Sequence, residues 1–244
     1  MKISKESLIA EIVVNDYRTS SIFDEFGIDF YCQGNRTVKE VCVDQTLEPD
    51  ELIMLLNGLI GMQSNLLNDY NLWPIDKLVD HIEENHHKYV KRMSKEISEN
   101  LVESCMVHGE KHPELYKIKE LIYNLIDELS HHIKKEKLIL FPFIRQLVRA
   151  QNGEINFETP SFGTILNPIR QMMNDHKHES ERFRTIRMLT NNFEIPSDAG
   201  SNFVSTYKMI EEFETELHLH IHLKNNILFP RSIEIDNELN YEQN

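Results

Sequence analysis

Each of four long amphipathic segments in this chain carries a histidine on its apolar stripe, and no other feature limits the possible folds as much. It is clearest in an internal repeat, "HIKKEKLILFP" at 132–142 and "HIHLKNNILFP" at 220–230, whose fifth position is Glu136 in one copy and Lys224 in the other. Residues four apart lie one above the other on a helix. That register places Leu125, Leu129, His132, Glu136, Ile139 and Phe143 on one seam, and Ile210, Phe213, Leu217, His220, Lys224 and Ile227 on another. A third seam carries Ile169, Met172, His176 and Phe183. The first, through Val79, Ile82, Val90 and Met93, offers the adjacent His86 and His87, and its period favours His86. A single histidine on such a stripe is ordinarily a hydrogen-bonded core residue. One on every helix, with a carboxylate four residues after one of them, points instead to metal held on the axis of a bundle. Imidazole and carboxylate without cysteine select iron, manganese or zinc, and a carboxylate-bridged pair favours iron.

The segments run at about 76–104, 113–150, 164–192 and 200–235, separated by "HGEKHPE", "QNGEINFETPSFG" and "EIPSDAGSN". Long helices with short connections predict an up-down four-helix bundle. Residues 1–62 differ, with short helical pieces around "GIDFYCQGNRT", and predict a small helical domain. The chain therefore reads as all-α, with the small domain at 1–62, a linker at 63–75 and the bundle at 76–240.

Twenty-six basic against 40 acidic residues give a formal charge of −14, which disfavours nucleic-acid binding through phosphates. Apolar runs such as "LIMLLNGLIG" are too short to span a bilayer, and the N-terminus lacks a signal-peptide core. A soluble, cytoplasmic protein is expected, with no nucleic-acid or membrane partner. Cys32, Cys42 and Cys105 suit a reducing compartment and fit no CxxC zinc site. A ferritin-type site built on Glu-x-x-His would use Glu84 with His87 and Glu128 with His131, but Glu128 and His131 fall off the seam. His81, His131, His178, His218 and His222 read as exposed or as lying behind ligands, and His108 and His112 as part of a polar chain reversal.

Seam histidines followed by "ILFP", preceded by "FGIDFYCQGNRTVKEVC", resemble the iron–sulfur cluster repair di-iron proteins (RIC, ScdA/YtfE type) over essentially the whole chain. That family joins an N-terminal ScdA-type domain to a C-terminal hemerythrin-like domain. The resemblance implies a non-haem di-iron site with four histidines and two bridging glutamates. It carries those roles to His132 and Glu136 in "HIKKE", His176 in "NDHKHES", His220 in "HIHLKNN" and His87 in "DHIEENHH". We take His87 as the first-helix ligand, with His86 the alternative. Two departures stand out. Where the family has two cysteines and two glycines, this chain has Tyr31, Cys32, Gln33 and Gly34, leaving Cys32 as a lone candidate redox thiol. Lys224 stands where the second bridging glutamate belongs.

Lysine cannot bridge two cations. Three outcomes are open: two irons on one carboxylate, one metal with the Lys224 ammonium in place of the other, or Glu216 supplying the lost carboxylate. Lys224 could also run its stem along the seam and keep its charge in water. The first outcome ranks highest, because every histidine ligand is present. The resemblance then implies repair of iron–sulfur clusters damaged by nitrosative or oxidative stress, by iron donation or by nitric oxide binding or reduction. Partners would be damaged iron–sulfur proteins or cluster-assembly proteins, with nitric oxide or oxygen as small ligands, and a homodimer is compatible with the family. The alternative is a hemerythrin-like oxygen, nitric oxide or iron sensor without turnover.

Overall fold

The computed structural model describes residues 2–62 and 69–241, and every regular element in it is helical. Of the segment 63–75 read as a linker, residues 63–68 lie outside the described residues. The chain divides into two compact units. One comprises the described residues through Pro74 together with Ile221–Arg231, and the other comprises Ile75–His220 together with the described residues from Ser232.

The first unit is built from α1 (Ile9–Asn15), α2 (Ser20–Glu25), α3 (Val38–Gln45) and α4 (Pro49–Gly61). Helices this short are marginal alone and are held by what they bury. Ile9, Ile12, Phe23, Phe30, Val38 and Leu52 form the core, with Ile221 packed among them. Thr37 and Glu40 close a reciprocal capping box at the start of α3, and Pro49 opens α4 in the position where its missing N–H costs nothing.

The second unit carries the long helices: α5 (Ile75–His81), α6 (Lys88–His108), α7 (Glu114–Lys135), α8 (Phe141–Gln151), α9 (Leu166–Leu189), α10 (Ser201–His222, through His220) and α11 (Phe229–Tyr241, from Ser232). Together they form a hemerythrin-like bundle. Its core runs through Ile97, Leu101, Ile122, Leu125, Phe183 and Phe213, each buried side chain adding about 1.5–3 kcal/mol of transfer free energy. Arg145 of α8 is 2.8 Å from Asp80 and 2.5 Å from Glu83, which ties α8 to α5. Asp236 of α11 accepts hydrogen bonds from the Thr164 hydroxyl and the Ile165 N–H, satisfying the start of α9 from outside that helix.

π turns interrupt three of these long stretches, at Ile82–His87, Glu136–Leu140 and Leu223–Leu228, each within or just after a seam histidine. A π turn closes with i→i+5 bonds and so holds one residue more than an α turn, which shifts the seam beyond it. The shift corrects one expectation. Ile139, assigned to the inward seam, is 48% exposed, and Leu140 is buried in its place. It also explains why the stripe favoured His86, because within the turn at 82–87 both His86 and His87 are buried. Among the described residues no helix is long and apolar enough to cross a membrane.

Candidate metal centre

Glu136 is the centre of the arrangement. It is 0% exposed and opens the π turn that follows α7, so its side chain leaves the helix at a point where the backbone widens. One carboxylate oxygen lies 3.1 Å from His87 Nε2 and the other 3.3 Å from His132 Nε2. Two groups of donors result, His87–Glu136–His220 and His132–Glu136–His176. In each, one atom per residue lies within 4.8 Å of the others, and all are buried. The His132 and His176 ring centroids are 4.9 Å apart, and those of His87 and His220 5.3 Å.

The surroundings orient this set. His132 turns Nδ1 towards Asp175 Oδ2 at 3.4 Å, which aims Nε2 at Glu136. The His132 ring, aided by Lys135, holds the Asp175 carboxyl below the usual carboxylate range against the opposing effect of burial. His87 stacks on Phe141 at 5.6 Å. Asp175 went unrecognised in the sequence reading, although its place beside His176 in "NDHKH" was the available signal.

The remaining candidates fall outside both donor groups. His86 is buried, its Nδ1 2.6 Å from Glu216 Oε1 and its ring parallel to that of His220 at 5.2 Å. Glu216 is 27% exposed and meets His86 rather than the shared carboxylate. Lys224 is 1% exposed, so its ammonium does not reach water along the seam. Glu128 and His131 are exposed, as a ferritin-type site could not tolerate.

Two histidines expected to be exposed or behind ligands are buried, His218 and His222. His222 belongs to the first unit. Burial pushes its ring down to about 3, and it sits against Tyr17 and Phe30. The Asn226 side-chain amide lies 2.9 Å from His222 Nδ1 and also donates to the Phe30 carbonyl, while Asn225 donates to the Tyr31 carbonyl. These contacts fasten the turn bearing Cys32, whose own N–H donates to Asp29. Cys32 is half-buried, whereas Cys42 and Cys105 are buried thiols pushed up by burial. Two asparagines in succession inside a helix are poor helix formers, and that was the overlooked signal.

Residues 78–232, more than half of the chain, match the family described as hemerythrin HHE cation binding domain. Residues 5–60 match ScdA_N, described as a domain of unknown function (DUF542). The chain is 24% identical to the iron-sulfur cluster repair protein ScdA of Staphylococcus epidermidis over 94% of its length and 99% of that protein. It is 27% identical to the protein of that name in Staphylococcus haemolyticus, covering 93% and 98%. It is also 27% identical to the iron-sulfur cluster repair protein YtfE of Escherichia coli O81, covering 94% and 97%.

Proposed function

This chain belongs to the hemerythrin HHE cation-binding family, and from that premise we propose that its bundle holds a pair of non-haem irons serving the repair of iron–sulfur clusters. The observation that carries this reading is the pair of buried His–carboxylate–His groups sharing Glu136. Such a donor set fits the metal: neutral imidazoles and a carboxylate suit iron, and the bundle interior excludes water. His87 and His220 would hold one ion and His132 and His176 the other, with Glu136 reaching both. Iron in that position supplies a centre that binds nitric oxide and exchanges ligands. The chain's own residues do the rest: Asp175 fixes the His132 ring, and Phe141 walls the His87 ring.

The relatives named for iron–sulfur cluster repair support the role, and damaged cluster proteins or their assembly factors are the partners it implies. Lys224, standing where the resemblance places a second bridging glutamate, would leave Glu136 as the carboxylate shared by the two donor groups. A metal pair held by one shared carboxylate would be held less firmly, which favours iron donation over tight carriage. The test is iron per chain by elemental analysis after expression with ample iron, for the protein and for Lys224→Glu. The expected result is about two irons in both, one for each donor group of the bundle. A native chain holding none overturns the reading. One iron that rises to two in the variant replaces it with a single-metal centre.

A further inference from the structure

A groove of about 540 Å³ runs between α6 and α7, and its inner end is formed by His87. Its floor is apolar, made by Val90, Ile126 and Ile133. Exposed Lys91, Lys95 and Lys137 stand around it, with the Ser94, Ser98 and Ser130 hydroxyls between them. Among the described residues no carboxylate lines it. In a chain of formal charge −14, Lys91 and Lys137 at one cleft form a local reversal of sign, while the Lys95 ammonium is 3.8 Å from the Glu99 carboxylate. Lys137 follows Glu136 directly, so a single π turn sends the carboxylate inward and the next side chain to the groove. Another groove on this unit, between α7 and α9, has the opposite character. It is lined by Glu128, Asp175, Glu179 and Glu181 against Lys135 and Arg182.

We propose that the α6–α7 groove is the docking site of a small polycarboxylate iron chelator, which exchanges iron with the centre at its His87 end. The inference rests on the metal reading given above. The volume lies in the range of small-molecule sites, and a cleft with low-dielectric walls and one sign of charge concentrates ions of the other sign. Every protein donor of the centre is buried, so an incoming ligand meets the centre where one of those donors also lines a surface cleft, and His87 does. The exchange is a substitution of ligands. Carboxylate oxygens of the chelator replace imidazole and carboxylate donors on the ion, and no electron is transferred.

The test uses the full chain loaded with ferrous iron, with citrate as the probe and neutral bipyridine as the comparison chelator. Iron released at fixed times is measured after filtration. Release should saturate with citrate, and the double variant Lys91→Gln/Lys137→Gln should raise the half-saturating concentration by about tenfold or more, as for loss of a focusing charge cluster. Bipyridine-driven release should be the same in both proteins. A rate that rises linearly with citrate, or an unchanged half-saturation in the variant, overturns the proposal. A chain that retains no iron overturns the metal reading instead. Equilibrium dialysis of citrate against that metal-free chain then decides the groove separately: lysine-dependent binding supports it, and none ends it.

Discussion

The two copies of the repeat share His, Ile, Leu, Phe and Pro at matching positions, and both open into a π turn, yet they belong to different environments. In the first copy His132 and Glu136 face the bundle interior, while Lys137, Leu138 and Ile139 turn outward. In the second, everything from Ile221 to Arg231 belongs with the N-terminal unit, where Asn225 and Asn226 fasten the Cys32 turn. Nearly the same letters thus support a buried carboxylate shared by two histidine groups in one place and a backbone clamp in the other. The copies differ at five consecutive positions: Lys134 against His222, Lys135 against Leu223, Glu136 against Lys224, Lys137 against Asn225, and Leu138 against Asn226. A helix repeat fixes spacing, and the residues between its apolar anchors decide what that spacing serves.

The largest effect should come from removing what only the first copy has. Glu136→Ala takes away the carboxylate common to both donor groups, so the chain should lose nearly all its bound iron on elemental analysis while keeping its helix content by circular dichroism. A variant that retained the parent metal content would break the comparison, since the first copy would then have no special claim on the metal.

Next in size is a contrast between equivalent isoleucines. Ile227 is 3% exposed and Ile139 48% exposed, although they occupy the same repeat position. Ile227→Ala should cost about 2–5 kcal/mol in urea unfolding, the range for truncating a buried aliphatic side chain. Ile139→Ala should stay within about 0.5 kcal/mol, as surface substitutions do. Equal losses would mean that the shift introduced by the π turn does not hold in solution.

Those two residues also mark how far the sequence could be read. The four helices, and the placing of His132, Glu136, His176 and His220 on their seams, follow from a 3.6-residue period that the bundle obeys along most of its length. The period fails where the backbone takes in an extra residue. Ile139 lies beyond Glu136 and was therefore put on the wrong face, and a stripe that preferred His86 could not allow for a turn that buries His87 as well. Asp175, Asn225 and Asn226 escaped the period for another reason. Each acts through polar contacts that include a residue far along the chain, and a polar contact leaves no periodic trace.

Asn225 offers the third test. Its amide donates to the Tyr31 carbonyl over 2.9 Å in a buried position, and its counterpart in the first copy is the exposed Lys137. Asn225→Ala should destabilise the chain by about 1–3 kcal/mol, the cost of leaving a buried carbonyl without its donor. It should also speed the labelling of Cys32 by a thiol reagent, because the turn that carries the cysteine loses a fastening. Lys137→Ala should do neither. Unchanged Cys32 labelling in Asn225→Ala would count against the clamp.

The smallest effect lies outside both copies and separates loss of metal from loss of fold. His112 sits between Glu114, 2.9 Å from Nδ1, and Asp198, 3.0 Å from Nε2, where the α6–α7 turn meets the loop before α10. Burial works against its charge, but the two carboxylates outweigh it and hold the ring above its ordinary value. A raised folded value means that the charged pair contributes fully below the unfolded pKa of about 6.5 and that the contribution fades as pH rises through the folded value. Metal binding runs the other way, because ligand histidines must lose their protons, so acid releases the ion. His112→Gln should therefore lower the melting temperature most at mildly acidic pH and progressively less as the pH is raised, with iron content at neutral pH unchanged. A melting difference that grew with pH would contradict the sign of the shift, and iron loss in this variant would show that the far end of the bundle is coupled to the centre after all.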